Sequence, residues 1–357
     1  MTRKTRYSAI ALGSAAVLTL GACGAEPTQS AEAADAAHEP GCAAEDGALR
    51  VYLNPWGPVL SDQFTADTGI ATEIADLGGG EILARIAAEA NNPQWDVVVL
   101  DGHGSLQGLA DRGELLTGWS SQSRDNLDDR GQSIAPEDNA WLPISEHAAA
   151  VIAYNTDVID AADAPRTWDD LTDPRYAPVG IADPAVAAPA YPIVSWFFQD
   201  RGTEGAEQYF GALMENGLNT YPKNGPVGQA LASGEVPVAA VQEQNVYELI
   251  DAGDPVDFVW PDDGAPGVVR GVAISADTPR PCAAAALVDW LLTPETMGYL
   301  MEHGENDGIL TPYVTGTDTS SLPQQRPQDA PLLITDGQFA ADQEAEIKDW
   351  FANQSVR

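Results

Sequence analysis

Residues 48–102 read ALRVYLNPWG PVLSDQFTAD TGIATEIADL GGGEILARIA AEANNPQWDV VVLDG, and this stretch decides the fold class. Residues 48–53 alternate in polarity and stop at Asn54-Pro55, as a strand does. Residues 61–68 read as a helix with Asp62 near its start, and 71–75 as a second strand that ends at Leu77 and three glycines. Ile82, Ile86 and Ala87 then recur at helical spacing within 81–90. Residues 95–100 form a continuous apolar strand closed by Asp101-Gly102. Strands alternating with helices predict a mostly parallel sheet covered on both faces.

The rhythm continues downstream. A strand pair is expected at 140–144 and 149–154, then strands at 179–182 and 236–241. Helices are expected at 191–198, 207–215 and 227–232. Strands at 256–260 and 268–274 flank the turn Asp262-Asp263-Gly264. Helices at 283–292, 294–302 and 342–351 complete the chain, which carries no internal repeat.

The N-terminal end carries Arg3, Lys4 and Arg6, an apolar run over 9–20, and then Leu20-Gly21-Ala22-Cys23. This is the layout of a secretory signal over 1–22, too short for a membrane span of about 20 apolar residues. Leu20-Gly21-Ala22-Cys23 resembles a bacterial lipobox, which implies a lipid on Cys23. Residues 23–46 are rich in Ala, Glu, Ser and Pro and poor in aliphatic bulk, so they are expected to be a flexible lipid-anchored tether. The remaining length suggests two lobes. The chain has 17 Lys+Arg against 54 Asp+Glu, a net charge of −37, which signal removal makes more negative still. Such a charge repels nucleic acid and excludes it as a partner. Cys42 and Cys282 remain, and an oxidising compartment favours their pairing as a disulfide over two free thiols.

Several stretches are specific. Glu81-Ile82-Leu83-Ala84-Arg85-Ile86 leads to Glu89, Asn92-Pro93 and Asp96-Val97. Tyr154-Asn155-Thr156, Pro165-Arg166-Thr167-Trp168-Asp169-Asp170-Leu171, Asn216-Gly217, Ala232-Ser233-Gly234-Glu235 and Gly253-Asp254-Pro255-Val256 follow in order. Asp289-Trp290-Leu291-Leu292 runs on to Pro294-Glu295. In order and spacing these blocks resemble the bacterial extracellular solute-binding proteins of ABC importers, the group that binds ferric iron, polyamines, thiamine and phosphonates. The resemblance implies an α/β, two-lobed periplasmic-binding-protein fold of type II. Two crossover strands join the lobes near 144–153 and 260–273, and the ligand lies in the cleft between them. Lobe 1 is then 47–145 plus 271–357, and lobe 2 is 146–270. The implied partners are a small-molecule ligand, an ABC permease and its ATPase, and the outer face of the cytoplasmic membrane through Cys23. The binding protein itself is expected to be a monomer.

Ligands of open α/β sheets sit beyond the carboxyl ends of the strands. That rule selects Trp56, Gly78 with Gly79 and Gly80, Asp101, Gly102 and His103 in the first lobe. In the second it selects 184–191 with Tyr191, then Tyr221, Asn224, Gln242, Glu243, Asn245 and Tyr247, with Glu146 at the first crossing. Ferric members present two adjacent tyrosines where this chain has Gln244-Asn245, and 185–190 has no hydroxyl for a phosphate. Aromatic area (Trp56, Tyr191, Tyr221) beside carboxylates (Asp101, Glu146, Glu243) suits an organic cation such as a polyamine or thiamine-like amine. The alternatives in the same fold are ferric iron or an iron chelate, and 2-aminoethylphosphonate or a phosphate ester. From another class, a secreted hydrolase would use a carboxylate pair.

Catalytic motifs do not support that last reading. Gly102-His103-Gly104 is followed by Gly108, one place late for a dinucleotide loop. The mature body contains no G-x-S-x-G, HExxH or CxxC, and the histidines are scattered at 38, 103, 147 and 303. No catalytic residue, metal or cofactor is expected.

Overall fold

The computed structural model describes residues 45–185, 187, 190–323, 327 and 332–354. The signal, Cys23, Cys42 and most of the tether lie outside the described residues. The first lobe opens with β1 (Leu49–Leu53), α1 (Gly57–Thr68), β2 (Thr72–Asp76), α2 (Gly79–Ala88), β3 (Val97–Asp101) and α3 (His103–Asp111). After α4 (Asp129–Ile134), β4 (Leu142–Ala148) leads out of the lobe. The second lobe contains β5 (Val151–Asn155), β6 (Val179–Ala182), α5 (Tyr191–Glu215), β7 (Asn219–Tyr221), α6 (Asn224–Ala232), β8 (Val238–Val241), α7 (Glu243–Ala252) and β9 (Val256–Val259). The chain returns through β10 (Ala265–Ile274), then α8 (Pro281–Leu291), α9 (Pro294–His303), β11 (Thr311–Pro312), β12 (Leu332–Leu333) and α10 (Gly337–Gln354).

Two sheets result. The first runs β11-β4-β10-β3-β1-β2 with β12 beside β10, and the second runs β7-β6-β8-β5-β9. Both are mixed rather than mostly parallel. β10 is antiparallel to β3 and β4, and β5 is antiparallel to β8 and β9. In each sheet the antiparallel member is the strand by which the chain enters that lobe from the other.

The expected strand pair around residue 147 does not form: β4 belongs to the first sheet and β5 to the second. β9 belongs to the second sheet and β10 to the first, so the chain crosses between them, near the expected second crossing. The chain changes sheets between Ala148 and Val151, and again between Val259 and Ala265. These points differ by a few residues from the expected divisions because β4 and β10 stay paired as far as Gly267 and Ala148. Ala149 and Ala150 are fully buried, and both donate their N–H to the Pro266 carbonyl, which ties the two crossings together.

Placing all of 271–357 in the first lobe needs correction. Ile347 and Phe351 of α10 pack in the second lobe's core, where Phe351 meets Phe210 edge-on at 4.9 Å and Trp350 meets Phe198 at 6.1 Å. The same helix also lies on α3. A Cβ on Gly104 would come 2.6 Å from the Ala340 methyl, so only glycine permits this approach. Helix α10 therefore straps both lobes. Apolar side chains on its length need a partner surface, and the second core supplies one.

The other end of the described chain is fastened to the first lobe. Glu45 accepts the N–H groups of Cys282 and Ala283 at 2.9 and 2.8 Å, capping α8, and Arg280 donates to the Asp46 carbonyl at 3.0 Å. A carboxylate is favoured there by the helix dipole. Cys282 is disulfide-bonded.

Candidate functional site: the cleft between the lobes

The carboxyl ends of β1, β2 and β3 face those of β6, β7 and β8, and two cavities lie between them. The larger, about 750 Å³, is lined on the first lobe by Asn54, Asp76, Glu81, Ala84 and the run Leu77 to Gly80. On the second lobe it is lined by Ala187, Pro222, Lys223 and Asn224. The smaller, about 280 Å³, lies between Asn54, Asp101 and 305–307 on one side and Gln242, Gln244, Asn245 and Glu248 on the other. Asn54 lines both.

The two cavities differ in electrostatic character. The larger receives the N-termini of α2 and α6, whose first N–H groups have no acceptor within their helices. Glu81 accepts only that of Gly78, at 3.0 Å. Lys223 stands beside them. It is one of three lysines in the chain, with Lys4 and Lys348, so a positive group at this mouth is conspicuous in so acidic a protein. The smaller cavity holds Asp101, Glu248, Glu305 and Asp307. Asp101 is neutralised within the protein. Arg270 donates from Nε at 2.8 Å and from Nη2 at 3.3 Å, and its guanidinium also lies 4.5 Å above the Trp56 ring. Burial would raise the pKa of Asp101, but Arg270 and His147 outweigh it and hold it below the ordinary value. Asp307 goes the other way. Although it reaches solvent, the surrounding protein raises its pKa, and Asp101, Asp76 and Glu305 add to the rise against the pull of Arg270. That end of the cleft carries a net negative field.

A hydrogen-bonded chain joins the lobes beside these cavities. The Asp101 carboxylate lies 3.6 Å from His147 Nε2, which also lies 3.2 Å from Gln242 Nε2. Gln242 Oε1 accepts from Asn224 Nδ2 at 2.7 Å. Gln244 Nε2 adds a bond to the Ile309 carbonyl at 3.3 Å.

Gly79, Gly80 and Asn224 thus line the larger cavity, and Asp101 and Asn245 line the smaller. Gly78 and Ala187 also line the larger and Gln242 the smaller, whereas Trp56, Tyr191, Tyr221, Glu146, Glu243, Tyr247 and His103 line neither. The face of Trp56 is covered by Arg270, and its Nε1 donates to the Asp307 carbonyl. Tyr191 donates to the Ala340 carbonyl of α10 at 2.6 Å and lies beneath Lys348. Tyr221 donates to Glu235. Glu146 pairs with Arg130 and accepts from Tyr313. Glu243, fully buried, accepts the Ala148 N–H at 2.7 Å and braces the first crossing. Tyr247 packs edge-on against Phe258. His103 is buried on the Thr335 carbonyl, and burial lowers its pKa.

Asn54, Asp76, Lys223, Glu248, Glu305 and Asp307 were not singled out in the sequence. Asn54, Asp76 and Lys223 lie at or just past strand ends and were open to the same rule. The other three lie on a helix and in a turn, where only the tertiary fold brings them to the cleft. Among the described residues no three His, Cys, Asp or Glu side chains are grouped to hold a metal, and no helix is long and apolar enough to cross a membrane.

Comparison with known proteins agrees with this architecture. The family model described as bacterial extracellular solute-binding protein matches residues 53–298. A putative 2-aminoethylphosphonate-binding periplasmic protein of Salmonella typhi is 25% identical over 256 residues, 70% of this chain and 72% of that one. A spermidine/putrescine-binding periplasmic protein of Escherichia coli is 24% identical over 283 residues, 73% of this chain and 79% of that one. The periplasmic binding protein AfuA from Actinobacillus pleuropneumoniae, solved with exogenous fructose-6-phosphate bound, superposes with a TM-score of 0.74 at 22% identity. The match covers 86% of this chain and 98% of that one, and the fold is the type II periplasmic-binding-protein fold.

Proposed function

We propose, from the premise that the chain belongs to the bacterial extracellular solute-binding proteins, that it captures a short zwitterionic amine between its lobes and delivers it to an ABC permease. The observation that carries this reading is the division of the cleft. Two helix N-termini and Lys223, beside Asp76 and Glu81, line one cavity, Asp101, Glu248, Glu305 and Asp307 line the next, and Asn54 joins them. Helix N-termini suit an acidic group, and a negative field suits an ammonium. An aminoalkylphosphonate has both, and similarity to a 2-aminoethylphosphonate-binding relative supports this class. The expected organic cation keeps its amine in this reading but gains an acidic end. A polyamine would place a positive charge near Lys223, and the aromatic side chains expected to hold it line neither of the two cavities.

Hinge closure about the Ala148–Val151 and Val259–Ala265 crossings would present both lobes to the permease. The protein acts as an exported monomer held by a lipid on Cys23. Thermal unfolding tests the ligand class, because a ligand that binds only the folded state raises Tm. 2-Aminoethylphosphonate should raise Tm without turnover, and spermidine or ferric citrate should do so less. Asp307→Asn and Lys223→Ala should each weaken binding by about tenfold, the loss of about one charge-assisted contact. A panel in which only polyamines shift Tm would reject this reading.

A further inference from the structure

Trp56 is buried beside the cleft and lines neither cavity. Its backbone lies in the left-handed region, at φ 84° and ψ −12°. A bulky residue rarely adopts that conformation, and it persists only where the surroundings over-determine it. Three contacts do so here. The Arg270 guanidinium lies 4.5 Å over the indole. Gly304 lies against its edge, where a Cβ would come 3.0 Å from Trp56 Cδ1 and Nε1. Trp56 Nε1 donates to the Asp307 carbonyl at 3.2 Å, and Arg270 Nη1 donates to the same oxygen at 3.1 Å. These polarities are fixed by chemistry, because indole and guanidinium N–H groups only donate and a main-chain carbonyl only accepts.

The first-lobe wall of the smaller cavity consists of Asn54, Asp101 and the turn Glu305-Asn306-Asp307. Each of these three pieces leads to Trp56. Asn54 is joined to it through Pro55 alone, whose ring restricts the backbone between them. Asp101 accepts from Arg270 at 2.8 and 3.3 Å, and Arg270 rests on the indole. The turn is anchored through its Asp307 carbonyl, and Glu305 within it is itself left-handed at φ 50°. We propose that Trp56 is a positioning residue that selects the length of the solute. It fixes where the wall of the smaller cavity stands relative to the larger cavity, and so the separation of acidic end and ammonium that the cleft accepts. The inference rests on the reading of the cleft as the site of a zwitterionic amine.

Two phosphonates that differ by one methylene, 2-aminoethylphosphonate and 3-aminopropylphosphonate, test this by calorimetry. The native protein should separate their Kd values by about tenfold or more. Trp56→Phe keeps a ring beneath Arg270 and loses the indole N–H, whereas Trp56→Leu loses both. The ratio of the two Kd values should fall about threefold in Trp56→Phe, the worth of one hydrogen bond, and approach one in Trp56→Leu. A side chain that only supported folding would lower Tm and weaken both ligands alike, leaving the ratio as it was. In the ligand-free protein, amide hydrogen exchange at 305–308 should quicken by about tenfold in Trp56→Leu, while exchange at 78–82 beside the larger cavity stays as it was. A native ratio near one, a ratio unchanged in both variants, or a turn whose exchange ignores Trp56 overturns the assignment. If the turn loosens but neither phosphonate binds the native protein, the cleft reading fails and length selection fails with it.

Discussion

Asp101 shows how position and role separate at the level of one residue. The rule of strand ends selects it and it lines the smaller cavity, yet its carboxylate chiefly holds Arg270, which is 1% exposed. Removing one partner of a buried pair strands the other charge. Asp101→Asn should therefore destabilise the protein by about 3–5 kcal/mol in urea unfolding. The pH dependence has a definite sign. The folded pKa of Asp101 lies below its ordinary value, so its contribution is complete above the unfolded value of about 4 and is lost as pH falls through the folded value. The acid limb of the stability curve should be shallower in Asp101→Asn than in the native chain. Equal limbs would show that the pair does not govern acid stability. Sequence could offer carboxylates and aromatic rings for the site, but not their neighbours. Glu146, Glu243, Tyr191 and Tyr221 are engaged by partners between 14 and 167 positions away along the chain.

At the scale of elements, most strands and helices followed from periodicity, because burial of one face leaves a local imprint. What failed was pairing. Residues 140–154 read both as a strand pair and as the first crossing, because two apolar runs stand close together, and of the two only the crossing forms. Helix α7 was missed behind Gln242 and Glu243, whose polarity concealed a buried first turn. Helix α10 was recognised as a helix but assigned to the first lobe alone, whereas it also packs in the second core, since amphipathic spacing does not name the surface it covers. Phe351 tests the corrected placement. It is 1% exposed against Phe210, so Phe351→Ala should cost about 3–5 kcal/mol. Denaturant titration should show a lower midpoint, and a loss under about 0.5 kcal/mol, typical of surface positions, would remove the helix from that core.

Across the whole molecule the two sheets share one plan: β2-β1-β3-β10-β4 corresponds to β7-β6-β8-β5-β9. No sequence repeat announces it, because the matching strands share orientation and neighbours rather than residues. The two-lobed plan was legible through family resemblance and the alternating rhythm. The division of charge in the cleft was not, since it arises from residues 54, 223 and 307 meeting across the hinge. The proposed lipid attachment belongs to this scale as well. Cys23→Ser should release the protein from cell membranes into the soluble fraction, and unchanged retention would show that something other than a lipid holds it.

The clasp of Glu45 and Asp46 on Arg280 and α8 has a mechanical consequence. Any tension arriving through the residues before 45 is borne by the first lobe alone and reaches neither crossing. Under the proposed lipid attachment the first lobe would be the moored one, so a pull on the leash would leave the jaw's closing energy untouched.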